Sequence, residues 1–345
     1  MRAIVLEKHG PQGLNHATLP APVPGPGEVL VRVRAAALNY RDHALVFGGY
    51  GRALSPPFVL GSDGAGEVVE TGPGAARFRV GERVVAHYVV DWIAGEPTEE
   101  VTRRRLGGPM DGTFSELVAL PEHALVRLPD SLSFAHAAAL PVAGVTAHRA
   151  LFGQAQLAPG DTVLIHGTGG VATFAIQLAA AAGLRSIVTS GSEARLAAAL
   201  ELGATHGINR ATTPDWDARV LELTDGRGVD RVLELAGGDS LARSIRASRM
   251  GGTVLVIGFL AGLESTLSLP EVLRKMVELR GISVGSRSDL ERLVGFYAAR
   301  PQRPVLDRTI DLADVPEAIR ALGAAGPFGK IVVRTSGAER DRGGT

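Results

Sequence analysis

The sequence predicts an α/β protein: a mostly antiparallel β unit first, then a doubly wound parallel sheet covered by helices on both faces. Three observations predict it. Residues 1–129 are rich in Gly and Pro and break into short runs with period-2 apolar alternation. From residue 130 to 265, apolar strand-like runs alternate with helical patterns. Between one such run and the helical pattern after it stand three glycines, in "HGTGGV" at residues 166–171.

The elements follow in order. "MRAIVLEKHG" reads as a short strand and not as a signal peptide. In "GEVLVRVRAAALN" Val29, Val31 and Val33 alternate with other residues, and Gly27 opens the strand at a turn. "GAGEVVETG", "GERVVAHYVV" (opened by Gly81) and "FSELVAL" read the same way. The second region pairs "DTVLIHG" with "GVATFAIQLAAAAG", "SIVTS" with "SEARLAAALELG", and "VDRVLELAGG" with "DSLARSIRASRMGG", before "TVLVIG". Ser192 is placed to cap the Ala/Leu-rich helix and Gly203 to stop it; Gly251 is placed to end a helix closing at Met250. Residues 266–345 add a helix, "PEVLRKMVELRG", and a strand, "ISVGS", then return to mixed structure through "FGKIVV". The polar "SGAERDRGGT" reads as a frayed tail.

Composition narrows the function. Lys plus Arg equals Asp plus Glu at 36 each, so no net charge favours nucleic acid or an anionic membrane as partner. The 345 residues include no cysteine, which excludes disulfides, thiolate nucleophiles and cysteine zinc ligands together. No apolar run approaches the ~20 residues of a membrane helix. The expectation is a soluble, cytoplasmic protein.

The glycines have a chemical reading. Gly167-x-Gly169-x-x-Ala172 follows a strand and opens a helix, the dinucleotide fingerprint in its G-x-G-x-x-A form. Gly167 allows the tight turn, Gly169 lets a pyrophosphate approach the backbone, and Ala172 lets helix lie on strand. The helix N-terminus is expected to supply free N–H groups and a positive dipole end for the phosphates, with Thr168, Gly170 and Val171 as candidate cofactor residues. An NAD site usually ends its second strand in a carboxylate. Here that strand ends in Ser190, Gly191 and Ser192, with Arg195 and Arg210 close by. Small hydroxyls and cations suit a 2′-phosphate, so NADP(H) is the expected cofactor. His166, at the strand end, reads as a neutral packed histidine.

These motifs, with "GSDGAGEVVETG", "ALPVAGVTAHRAL" and "LGATHGIN", resemble the medium-chain dehydrogenase/reductase superfamily over residues 1–335. "ALNYRDHAL", "GVDRVLELAGG" and "LRGISVGSR" resemble its zinc-free quinone oxidoreductase and enone reductase branch. The resemblance implies a GroES-like β domain, a Rossmann domain, and dimers or tetramers paired through the edge of the Rossmann sheet. Zinc-dependent members carry a Cys in the segment matching "AALNYRD" and a His-Glu pair where this chain has Ser62-Asp63. Without those ligands, reduction of a conjugated C=C is the reaction the resemblance implies, on a quinone or an α,β-unsaturated carbonyl.

The same resemblance implies site residues. Asn39 would lie by the nicotinamide and substrate, as an oxyanion donor; read alone, it equally caps the following helix. Tyr40 and Tyr50 are candidate proton donors or aromatic walls, and Asp63 stands where relatives carry an acid. Thr146, Gly258, Phe259, Ser286 and Arg287 would flank the nicotinamide half, and Lys330 the cofactor phosphates. Tyr88 and Trp92 either line a pocket mouth or belong to the β core. Arg103, Arg104 and Arg105 read as a solvated face. Two other readings remain: a metal-free carbonyl reductase or alcohol dehydrogenase, and an NADPH-binding protein with little turnover.

Overall fold

A computed structural model describes residues 1–48, 54–153, 156–322 and 326–335. The chain divides into two units: residues 1–145 with 286–345, and residues 146–285. The first division falls later than the change of texture at 129/130, with residues 134–138 packed on the strands of the first unit; the second follows the further helix and strand expected after residue 265.

The first unit opens with β1 (Arg2–Leu6), β2 (Leu14–Thr18), β3 (Glu28–Ala37) and α1 (Tyr40–Phe47). It continues through β4 (Phe58–Val59), β5 (Asp63–Thr71), β6 (Arg83–Ala86), β7 (Leu117–Pro121), β8 (Leu125–Arg127) and α2 (Phe134–Ala138). Strand β1 pairs antiparallel with β2 and β4. In the main sheet β3 runs antiparallel to both β5 and β7, and β5 to β6, which pairs with β8. The alternating Val29, Val31 and Val33 fall in one core with Leu60, Phe114, Val118 and Leu125. Each such side chain contributes about 1.5–3 kcal/mol on leaving water.

The second unit begins within α3 (Val145–Phe152) and holds a six-stranded parallel sheet. In chain order it comprises β9 (Thr162–His166), α4 (Gly170–Ala181), β10 (Arg185–Ser190), α5 (Glu193–Glu201), β11 (His206–Asn209) and α6 (Trp216–Leu223). Then come β12 (Val229–Glu234), α7 (Ser240–Ala247), β13 (Ser248–Val256), α8 (Leu269–Lys275) and β14 (Glu278–Gly281). The strand order is β11-β10-β9-β12-β13-β14. Strand β9 lies inside the sheet and is buried throughout, as a continuous apolar run requires.

The chain then returns to the first unit with α9 (Arg287–Ala298), β15 (Leu306–Asp311), α10 (Val315–Ala321) and β16 (Lys330–Arg334). Strand β16 pairs parallel with β15 and antiparallel with β3, so residues 332–334 lie beside residues 35–37.

Three local expectations need correction. Helix α8 stops at Lys275, where Met276 takes φ +49°, and "ELRG" becomes strand β14, in register with Thr253–Val256. "ISVGS" is therefore not the last strand: it carries the chain out of the sheet, with Ile282 and Val284 buried on the way. Helix α7 closes at Ala247 rather than Met250, because Ser248 already pairs with Val229.

Candidate active site

In the second unit the turn after β9 depends on glycine for a conformational reason. Gly167 has φ +78°, and a Cβ there would meet no atom within 4 Å. Backbone strain, not crowding, selects glycine. Its N–H donates to the Thr189 carbonyl, locking the turn to β10. Gly169 stands at the N-cap of α4 in extended conformation and supplies no side-chain cap, and Gly170 opens the helix. Thr168 and Ala172 are buried and Val171 is half-buried. The first N–H groups of α4 thus have no side-chain cap, and the positive end of the helix dipole lies beside the glycine turn.

The second strand end gathers the candidate phosphate residues. Ser190 ends β10, and its hydroxyl accepts from the Ser192 N–H at 3.3 Å. Ser192 caps α5 by accepting from the Arg195 N–H, as its position before the Ala/Leu-rich run predicts. The Arg210 N–H donates to the Ser190 carbonyl, bringing that exposed residue to the same place. The nearby carboxylate, Glu193, accepts from the Asn209 side-chain amide at 2.6 Å.

Beneath the turn lies a network that sequence reasoning missed. Glu234, at the end of β12 and fully buried, accepts from the N–H groups of Ala236 and Gly237 and from the Ser240 and Ser244 hydroxyls. His166 stands 3.0 Å from both Thr189 Oγ1 and Ser244 Oγ, with Trp216 edge-on to its ring. Burial pushes the His166 imidazole below its ordinary pKa, partly opposed by Glu234. It is packed, as expected, against Trp216, Thr189 and Ser244. The available signal for Glu234 was an acid inside the apolar run "VDRVLEL".

The other second-unit candidates have local duties. Gly258 follows β13, and a Cβ there would lie 2.3 Å from the Leu235 carbonyl oxygen, so close backbone approach requires glycine. Phe259 follows in the same loop, half-buried. Thr146 is buried on α3, with its hydroxyl 3.5 Å from the Ser283 carbonyl.

In the first unit a charged cluster is buried around β3, α1, β5 and β16. Asn39 precedes α1; its Nδ2 donates to Asp63 Oδ2 at 2.9 Å. Lys330 Nζ donates to Asn39 Oδ1 at 2.7 Å, Asp63 Oδ2 at 3.0 Å and the Leu38 carbonyl at 2.6 Å. The Val142 N–H donates to Asp63 Oδ1 at 2.9 Å. Burial raises the Asp63 pKa above its ordinary value, opposed first by the Lys330 charge. Asp42 accepts from the Asn39 N–H at 2.8 Å, and burial pushes its carboxyl up to about 6. Arg41 donates to Ser62 Oγ and to the carbonyls of Leu106, Gly107 and Gly108, fixing the loop opposite.

Three cofactor candidates have other partners or another element than expected. Lys330 is buried and its three protons have three acceptors inside the first unit, so none remains for a phosphate. Ser286 and Arg287 open α9 instead of closing a strand. Ser286 caps that helix with Asp289; Arg287 donates from its backbone to Trp92 and from its guanidinium to the His123 carbonyl. Tyr88 and Trp92 are buried core residues. Tyr40 is half-exposed on α1, 5.7 Å from the His43 ring. Tyr50 lies outside the described residues.

Among the described residues, the donors around Ser62 and Asp63 do not fit a catalytic zinc ion. The chain has no cysteine, and among the described residues no three His, Asp or Glu side chains gather as a ligand group. Ser62 Oγ is taken by Arg41, and Asp63 already carries an ammonium.

Comparison with known proteins gives the wider setting. Residues 25–130 match the alcohol dehydrogenase GroES-like domain, and residues 170–299 the zinc-binding dehydrogenase family. A zinc-type alcohol dehydrogenase-like protein of Schizosaccharomyces pombe is 41% identical over 315 residues, covering 90% of this chain and 91% of that one. A quinone oxidoreductase of Mus musculus is 28% identical, covering 96% and 97%. Among solved structures, an NAD-dependent alcohol dehydrogenase superposes with TM-score 0.88 at 35% identity, covering 97% and 100%. A mycobacterial protein complexed with NADPH does so with TM-score 0.83 at 26% identity, covering 97% and 100%. With a GroES-like β domain and a Rossmann-type parallel sheet, this chain is an oxidoreductase that belongs to the medium-chain dehydrogenase/reductase superfamily, on its quinone oxidoreductase-like branch.

Proposed function

We propose that this protein reduces the conjugated C=C of a quinone or α,β-unsaturated carbonyl with NADPH and without zinc. The observation that carries the reading is the Lys330 ammonium on Asp63, in the segment where zinc-dependent relatives hold their metal. Without a Lewis acid there, direct hydride transfer to a simple ketone lacks its main activator. A conjugated acceptor needs less, because its negative charge develops on an enolate oxygen that hydrogen-bond donors can stabilise.

NADPH, when bound, supplies hydride. The second unit seats its pyrophosphate on the α4 N-terminus and its 2′-phosphate among Ser190, Ser192, Arg195 and Arg210. The first unit offers the acceptor oxygen the one Asn39 Nδ2 proton that Asp63 does not take. Hydride delivered to the β-carbon would turn the C=C pair into the enolate double bond and put the carbonyl pair on oxygen, where Asn39 would stabilise it; the Tyr40 hydroxyl, reprotonated from solvent, or solvent itself would supply the α-carbon proton. The protein acts on small molecules without nucleic acid or membrane, as a cytoplasmic homodimer. The dimer reading rests on the terminal strand β14 and on the exposed Leu269, Leu273 and Met276 that precede it in the chain.

The test is NADPH consumption against a 1,4-quinone, a linear enone, an enal and a saturated aldehyde, with chelator in parallel and products identified by mass spectrometry. Chelator-insensitive formation of saturated carbonyl products supports the reading. Turnover of the saturated aldehyde, or loss of activity with chelator, transfers it to a carbonyl reductase. Tight NADPH binding with no turnover leaves a binding protein.

A further inference from the structure

A primary amide can be seated in two ways that differ by a half turn and have nearly the same shape. In the first unit, charge makes the choice for Asn39. Its Oδ1 faces the Lys330 ammonium at 2.7 Å and its Nδ2 faces the Asp63 carboxylate at 2.9 Å. A flipped amide would set N–H against the ammonium and oxygen against the carboxylate, two repulsive contacts in a buried setting. Lys330 itself cannot reach a substrate, since its three protons are spent on Leu38, Asn39 and Asp63. One proton of Nδ2 goes to Asp63. The other has only the Ala37 carbonyl, at 3.5 Å, the outer limit of a hydrogen bond.

We propose that Lys330 is a positioning residue for the reaction: it fixes the Asn39 amide with Oδ1 inward, so that the second Nδ2 proton is held for the acceptor oxygen. The ammonium on Oδ1 also draws electron density from the amide, which strengthens that N–H as a donor. Strand β16 delivers this lysine by pairing with β3, the strand that leads directly to Asn39. The proposal rests on the reading of Asn39 as the donor to the acceptor oxygen.

The test is a mutant cycle in the full chain, with an enone as acceptor. Lys330→Met alone strands a buried carboxylate and risks unfolding. Lys330→Met/Asp63→Asn removes both charges together and is the working variant. It is compared with Asn39→Ala and with the triple substitution by thermal melting, NADPH dissociation constant, and kcat and KM for the enone. The expected result is a folded double variant with NADPH affinity within about twofold of wild type and kcat lowered at least ~10-fold, toward the ~100-fold scale of one lost oxyanion donor. Adding Asn39→Ala to it then costs less than ~3-fold more, although Asn39→Ala alone lowers kcat as far as the double variant does. Unchanged kcat in the double variant, or losses that multiply, would overturn the role of Lys330 and leave Asn39 as donor. An Asn39→Ala variant with wild-type kcat removes the donor reading itself, and the positioning role with it.

Discussion

The ammonium of Lys330 lies 3.0 Å from an oxygen of Asp63, and the two side chains are 3% and 0% exposed. Removing one member of such a pair leaves the other charge uncompensated, at a cost of about 3–5 kcal/mol. Lys330→Met is expected to lose about that much in urea denaturation, and Lys330→Met/Asp63→Asn clearly less. Equal stability for Lys330→Met and wild type would show that the pair carries no structural charge balance.

Asn209 holds the carboxylate of Glu193, while Arg195 and Arg210 attend the end of β10. Arg195→Ala is expected to raise the dissociation constant of NADPH about 10-fold or more, the value of a charge-assisted bond, and that of NADH by less than ~2-fold. Fluorescence titration with both cofactors measures it. Equal loss for the two would place Arg195 away from the 2′-phosphate.

His87 is fully buried, and neither ring nitrogen has a hydrogen-bond partner among the described residues. Burial lowers its pKa from 6.5 to about 3. Between those values the unfolded chain binds the proton and the folded chain does not, so folding stability falls as pH drops. Asp42, with a raised pKa, acts in the opposite direction between its folded value of about 6 and its ordinary 3.8. The test therefore compares wild type with His87→Leu. The stability difference is expected to be flat above pH 6.5. Below it, wild type loses about 1.4 kcal/mol per pH unit relative to the variant. A difference that stays constant down to pH 4.5 would contradict the neutral, buried imidazole.

Helix α8, which packs against β13 and α7, presents Leu273 at 75% exposure, and the terminal strand β14 follows it in the chain. An exposed apolar helix and an open strand edge favour pairing with a second copy. Leu273→Glu is expected to weaken a wild-type dimer about 100-fold or more, as loss of an interface hot spot does. Light scattering across a concentration series reads it. A wild type that stays monomeric would remove the dimer.

Much of the fold was legible because it depends on local period. The alternation of Val29, Val31 and Val33 and the strand-helix repeat from β9 onward follow from which faces must be buried. The cap at Ser192 and the glycine at 167 follow from backbone groups that need a partner or a positive φ. The readings that failed lie where a tertiary partner overrode local preference. Residues 278–281 look helical in series with α8, yet β13 recruits them as a strand. Ser286 and Arg287 look like a strand end, yet Asp289, Trp92 and His123 bind them at the start of α9.

By itself the sequence determined the two textures, the glycine turn after β9, the absence of thiol chemistry and the family resemblance, because each is a matter of residue type at short spacing. Only the tertiary structure decided what Lys330 does. It stands 267 residues from Asp63 and 291 from Asn39 in the chain, and meets them only because β16 lays itself along β3. Once those groups are buried together, electrostatics leaves the ammonium no better partner than the carboxylate and amide beside it. No pattern along the sequence encodes that closure.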